Sequence, residues 1–422
     1  MMTSLLVKPK PLKHLHAACE ALLYAWLIGL VLPHTNAFYN LGLFGAPLAT
    51  IFYLLSARQW VLGKLPFALA ISFVLYIAWS FLSCLWSVSP SDAFLEWRGN
   101  TGIALLMSSI CAIIFQNDAS QQRLWKVMLA LSAALAAMFI YEWILISSNS
   151  GAVIPPYPSV RSWGDRLILC FPFLIFGSAL AEKKNLKLIT NMLVLVFICL
   201  MLVTGARGVW ISLLAYLFCW AALTYNPKAL IVISLSSLLI FTSLLFIPGN
   251  PLKDRFSRIT YTSDRINYTW GPAIKFWKES PIFGIGYGSM AFHTKARELL
   301  DNDTEWLKNI KPEERDYYTR LGPHSNYFEA LAGGGAIGFA LLLFFYSQVI
   351  KNAVFSSKPA NLLIAAAGSG IIAKYMIHGA VESINWKALG IFIGLMLAVL
   401  PSKSKKKSTA NQASPREFQA PS

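Results

Sequence analysis

Long apolar stretches separated by short polar ones run along nearly the whole chain. A helix needs about 20 apolar residues to cross a bilayer. Stretches of that kind recur at 17–33, 38–57, 66–86, 100–115, 124–147, 164–181, 186–204, 208–225, 229–247, 325–350, 361–379 and 386–400. The pattern predicts an all-α polytopic membrane protein with about twelve transmembrane helices. About nine form an N-terminal bundle over 1–247 and about three follow over 324–400, ahead of a polar tail at 401–422 expected to be disordered.

Residues 248–323 break this pattern and hold half of all the acidic residues in the chain. The early part is basic, with Arg255, Arg258, Arg265, Lys275 and Lys278, and the later part is acidic. Trp270, Ile274 and Trp277 are spaced for one face of an amphipathic helix lying on the membrane or capping the bundle. A loop of this length is uncommon unless it has a function, so chemistry is expected there.

Composition supports a lipid-facing exterior: 56% of the 422 residues are hydrophobic and 13% charged, against about 25% charged in soluble domains. The net charge of +16 would suit nucleic acid, but the cations sit in short clusters between apolar runs, which argues for membrane orientation and no nucleic-acid partner. Arg58, Lys64, Arg123, Lys126, Lys183, Lys184, Lys187, Lys228, Lys351, Lys358 and the tail lysines all fall on one side if the N-terminus is cytoplasmic. Both termini then face the cytoplasm and the large loop faces outward. The first apolar run reads as a transmembrane helix acting as its own signal. The six cysteines lie in or beside apolar runs without metal-ligand spacing and read as small buried hydrophobes, so no metal or cofactor is expected.

Three features bring polar groups to the outer face. Thr204-Gly205-Ala206-Arg207-Gly208 joins two spans in a tight turn; alone, Arg207 reads as an arginine snorkelling to lipid headgroups. Ser263-Asp264-Arg265 opens the amphipathic stretch, where a surface salt bridge is the simplest account. In Gly322-Pro323-His324-Ser325-Asn326-Tyr327 the loop re-enters the membrane, and a triple-glycine run at 333–335 follows that would let another helix or a lipid chain pack closely. Two arginines suit a diphosphate, because the guanidinium fork binds phosphate oxygens bidentately. A histidine beside them suits proton transfer near neutral pH. Arg161, Lys275 and Asn326 are further candidates for holding such a substrate.

Other constellations are weaker. Asp301-Asn302-Asp303 has the form of a metal–nucleotide motif but falls on the outer face. Lys374, His378 and Glu382 are spaced four apart, as in an ion or proton path or a helix-end hydrogen-bond cluster, and Glu142 stands inside a span with no evident partner.

The segments TGARGVW, the run from Arg265 to Trp270, ESPIFGIGYGSM at 279–290 and HSNYFEALAGGGAIG at 324–338 are similar to those of the O-antigen ligase family of bacterial membrane proteins, in the same order and topology. The resemblance implies a GT-C-like fold with one large periplasmic loop containing short helices. It also implies transfer of O-antigen from undecaprenyl diphosphate to a sugar hydroxyl of lipid A–core at the periplasmic face of the inner membrane, metal-independent and inverting. By position, the family's catalytic histidine matches His324 and its two arginines match Arg207 and Arg265. The family pattern is commonly His-Asn, whereas Ser325 here stands before Asn326. Polymerases and protein O-oligosaccharyltransferases of the same superfamily share the donor chemistry. Pilin-directed members tend to carry more sequence after the last spans, which favours the ligase. A transporter or flippase is the reading from another class.

Overall fold

The structure, a computed structural model, describes residues 10–57, 66–150, 159–181, 183–204, 206–224, 266–302, 319–356, 362–383 and 385–410, with isolated positions at 228, 231 and 317. Every regular element among them is a helix. In chain order these are α1 (Lys10–Val31), α2 (Asn36–Ala57), α3 (Phe67–Ser83), α4 (Pro90–Trp97), α5 (Ile103–Ile114), α6 (Asp118–Ser150) and α7 (Ser159–Leu180). They continue as α8 (Lys184–Val203), α9 (Arg207–Leu223), α10 (Gly271–Glu279), α11 (Ser289–Asn302), α12 (Asn326–Ser356), α13 (Leu362–Gly370) and α14 (Leu389–Ala410).

Among the described residues, nine helical segments are long and apolar enough to cross a membrane, and two shorter apolar helices cover Arg207–Leu223 and Trp386–Val399. These match expected spans one for one. The expected span at 229–247 lies outside the described residues, apart from position 231. The fourth helix begins earlier than its apolar run: α4, a π-helical turn at Arg98–Gly102 and α5 form one segment from Pro90 to Ile114. Ser89 and Pro90 at its start are a helix-opening pair, with proline's fixed φ in the first turn. The helix at the other end of the chain runs past the expected span limit to Ala410.

Burial separates the helices into a centre and a lipid-facing rim. The Leu362–Ala380 and Ser162–Leu180 segments are 78% and 72% buried, while Asn36–Ala57 and Lys184–Val203 are each 22% buried. Phe44, Leu48 and Leu55 of α2 are exposed, an apolar outward face that suits lipid surroundings. Small residues let the central helices approach closely: Gly368 of α13 lies against Ala353, and Gly394 of α14 lies against Cys111 of α5. All six cysteines are free. Cys19, Cys84, Cys111 and Cys170 are buried as expected, whereas Cys199 is exposed on the rim.

Buried polar groups tie helices together. Glu20 of α1 accepts two hydrogen bonds from Arg123 of α6, at 2.8 and 2.7 Å, and its carboxylate lies 3.2 Å from His16. Glu142 of α6 has a partner across helices: the Trp163 indole N–H of α7 donates to it at 3.0 Å.

The triple-glycine run is a break in α12 rather than a flat packing face. Gly335 sits at φ 65° and ψ −164°, a conformation that excludes a Cβ. The break frees main-chain groups, and the loop at 281–288 fills it. Ile285 N–H donates to Ala332 O at 2.8 Å, Gly286 N–H to Gly333 O at 3.0 Å, and Ala336 N–H to Pro281 O at 2.9 Å. The Trp79 indole N–H of α3 takes the remaining Gly334 carbonyl at 2.8 Å. The GIGYG sequence follows from this pairing, because Gly284, Gly286 and Gly288 all have positive φ and a Cβ on Gly284 would strike the backbone of the break.

Helix α10 does cap the bundle, through a face that shares Trp270 but not Ile274 with the one the spacing predicts. Its buried residues are Pro272, Ala273 and Phe276, with Phe276 edge-on to Phe292 at 5.0 Å and Trp270 stacked on Phe328 at 5.3 Å. Ile274 points outward. The short helix sits near the N-terminal end of α12, so its inward face is set by that neighbour rather than by its most apolar stripe.

Candidate active site

His324 stands at the junction of loop and membrane, one residue after Pro323 and just before α12. Its φ is 48°, and His34 is the other non-glycine residue with positive φ among those described. A side chain in this region costs about 1–3 kcal/mol and persists only where the surroundings impose it. Its Nδ1 lies 3.8 Å from Oε1 of Glu382, and both side chains are mostly buried. Glu382 follows the helical turn at His378–Ala380, which a π-helical segment at Ile371–Ile377 joins to α13.

The next layer holds this turn in place. Asn326 Nδ2 donates to the Tyr375 carbonyl at 3.4 Å, the Tyr346 hydroxyl donates to the same oxygen at 2.9 Å, and the Tyr327 hydroxyl donates to Met376 O at 3.0 Å. Asn326 is buried, and its amide packs against Gly379. Asn326 is thereby engaged in fastening the start of α12 to the end of the α13 segment. Lys374 is also engaged: its Nζ lies 3.1 Å from the Asp165 carbonyl and 3.3 Å from its carboxylate. The four-residue spacing of Lys374, His378 and Glu382 thus spreads over two different contacts, one toward α7 and one toward His324.

Arg207 is the first residue of α9 and is exposed. The adjacent Gly208 lies so close to the His378 imidazole that a Cβ there would collide with it. The start of α9, His378, Glu382 and His324 therefore lie side by side at one end of the bundle. A helix N-terminus carries partial positive charge and free N–H groups, and Arg207 adds a full charge there.

Of the other expected site residues, Lys275 is exposed on α10. Arg265 lies outside the described residues, as does the side chain of Arg161, whose backbone belongs to α7. Asp303 of the acidic triplet lies outside them as well. Among the described residues no group of three or more His, Cys, Asp and Glu is arranged to hold a metal ion.

A cavity of about 370 Å³ opens beside Pro323 and Asn326. It is lined by α3, α4, the 285–289 loop, α11, α12 and the turn at 383–386. Sequence reasoning missed Glu96, Glu329 and His293, which all line it. Glu96 accepts from the Ser289 N–H at 2.8 Å and its hydroxyl at 2.9 Å. The Tyr287 hydroxyl lies 2.8 Å from that of Thr101, and burial holds this phenol well above its ordinary pKa. Burial lowers the His293 pKa, opposed by Glu96 and by a backbone hydrogen bond at Arg320. The Ser-Pro-Ser-Asp opening of α4 was the available signal for Glu96, since it places that residue on a short helix.

Fold and site together define an all-helical, multi-pass membrane protein with histidine, carboxylate and arginine gathered where a loop meets the bundle. Comparison with known proteins narrows the class. Residues 192–343 match a family model described as O-antigen ligase; the match spans Arg207, Arg265 and His324. The chain is also 24% identical over 334 residues to an O-antigen ligase of Salmonella typhimurium, covering 75% of this chain and 79% of that protein. Over these stretches the chain is similar to O-antigen ligases.

Proposed function

We propose that this chain is an O-antigen ligase of the bacterial inner membrane. It transfers the glycan from undecaprenyl diphosphate to a sugar hydroxyl of lipid A–core at the periplasmic face. The acceptor oxygen attacks the anomeric carbon of the donor and forms the new glycosidic bond with inversion. The bond from that carbon to phosphate breaks, and undecaprenyl diphosphate leaves with the electron pair. With Nδ1 of His324 turned toward Glu382, Nε2 is the nitrogen that takes the hydroxyl proton. Glu382 is a positioning residue that favours the resulting imidazolium.

Arg207 at the helix start binds the diphosphate and stabilises its growing charge, and Arg265 is assigned the same task. Arg161 and Lys275 are secondary candidates for phosphate contact, and Asn326 for holding the junction. The reaction as written balances without a metal or cofactor. Both termini are assigned to the cytoplasm, with a GT-C-like arrangement and the 248–323 loop in the periplasm. The observation that carries this reading is the His324–Glu382 pair set beside the start of α9.

The test is transfer by purified protein in nanodiscs, with lipid-linked O-antigen, lipid A–core and EDTA, followed as joined product on a gel. Joined product that vanishes in His324→Ala supports the ligase. Lengthening of the lipid-linked glycan instead identifies a polymerase. A folded protein that does neither removes the enzymatic reading and leaves transport.

A further inference from the structure

The apolar rim of α3 does not stop where the helix does. Its exposed face runs through Ile71, Val74, Leu75 and Leu82 and on to Leu85 and Trp86 in the short helical turn that follows. Two residues from far along the chain extend it: Ile282 and Phe283, 55% and 52% exposed. The Phe283 ring stacks on Trp79 at 6.0 Å and meets Trp86 edge-on at 6.1 Å, and the two indoles lie 5.6 Å apart. Ile282 and Phe283 belong to the stretch between the two sets of spans, yet each leaves more than half of its surface uncovered. Apolar area of this kind is costly in water, and a contiguous patch marks a contact surface.

Helix length gives the level at which the patch stands. The apolar segment Phe67–Trp86 has 20 residues, about 30 Å at about 1.5 Å per residue, which matches the hydrocarbon core of a bilayer. Trp86 thus marks one edge of that core, and the polar Ser87, Ser89, Ser91 and Asp92 follow at once. Phe283 packs on both Trp79 and Trp86, so its level falls inside the edge. Tryptophans gather at this depth, where the apolar core meets the headgroups. The edge lies at the same end of the bundle as the His324 junction, because Ser83 lines one cavity with Pro323 and Asn326.

We propose that the tip at Ile282–Phe283 is a membrane foot. It dips beneath the headgroups of the leaflet on the His324 side and contacts acyl chains of the bulk bilayer. Its backbone enters the break in α12: Pro281 O accepts from Ala336 N–H at 2.9 Å and Ile282 O from Ile337 N–H at 3.4 Å. The bilayer thereby bears on the loop that plugs the break and fixes the level of the break in the membrane. This inference stands on ring packing and helix length and does not depend on the ligase reading.

The test uses the full chain with Cys199→Ser and Cys219→Ser, in nanodiscs of phosphatidylcholine and phosphatidylglycerol. Phe283→Cys is labelled there with NBD, a fluorophore whose emission shifts to the blue out of water. Quenching by phosphatidylcholine carrying a nitroxide high on its acyl chain is compared with quenching by aqueous iodide. The expected result is blue-shifted emission that is lost with the nitroxide lipid and kept with iodide. Glu298→Cys, at an exposed position of α11, is the reference and should show the reverse. Emission lost to iodide at Phe283→Cys puts the tip in water and overturns the proposal. Blue-shifted emission that neither quencher reaches means that protein covers the tip, either another segment of this chain or a second copy, and overturns it equally. Ile282→Cys gives the same reading where Phe283→Cys does not fold.

Discussion

Glu382 Oε1 lies 3.8 Å from His324 Nδ1, although the whole of α12 and α13 runs between them in the chain. The carboxylate faces one ring nitrogen and so sets which nitrogen remains for the substrate. The left-handed backbone at His324, with φ 48°, turns the imidazole out of the helix line and toward this partner.

Removal of the imidazole should therefore be far more damaging than removal of its partner. His324→Ala is expected to lower kcat by about 10²–10⁴-fold, the usual worth of a positioned acid–base group. Glu382→Gln should lower kcat less and shift the acidic limb of the pH–rate profile, with both KM values little changed. Initial rates against pH check this, and an unchanged profile in Glu382→Gln would remove the positioning role.

The phosphate-binding role proposed for Arg207 uses a fork geometry that lysine cannot copy. Arg207→Lys keeps the charge but loses the fork, so donor KM should rise or kcat fall by about tenfold, and Arg207→Ala should cost more. The acceptor KM is the control, and equal effects on both substrates would count against phosphate binding.

The break in α12 should tolerate no side chain. Gly335→Ala places a Cβ in a positive-φ position against the Ile282 carbonyl, with an expected loss of about 1–3 kcal/mol. Thermal unfolding in detergent reads the loss. Gly99→Ala is the comparison, because a Cβ there meets nothing nearby.

The Glu20–Arg123 pair is a structural tie, remote from His324. Glu20→Ala should lower stability by about 1–3 kcal/mol, the cost of losing hydrogen bonds to a charged group, with transfer by the folded fraction retained. A double-mutant cycle with Arg123→Ala should give a coupling of the same sign.

His293 predicts a pH dependence. Its folded pKa lies below the ordinary value, so the unfolded chain binds the proton more readily than the folded protein. Stability should be highest above the ordinary histidine pKa of about 6.5 and fall as pH drops through it. His293→Gln should flatten that slope in thermal melts between about pH 5 and 8.

Much of this molecule was legible in the order of its residues. The length of an apolar run decides whether a helix can span a bilayer, and that is a local property. Accordingly the described spans fall where the runs predict them. Arg207 at a helix start and His324 at a loop–membrane junction could be read in the same way, from residue type and place.

Tertiary structure decided what those residues face. No local signal pairs His324 with Glu382, assigns Asp165 to Lys374, or brings Glu96 of α4 to the same cavity as Glu329 of α12. These contacts are set by which helix packs on which. The glycine run shows the same limit: its composition announced a close approach, but only the fold decided that the helix would break and take a loop into its backbone. Apolar pattern is a property of the chain and fixes where the described spans lie. A site built from helices distant in sequence depends on their relative packing, which no single segment encodes.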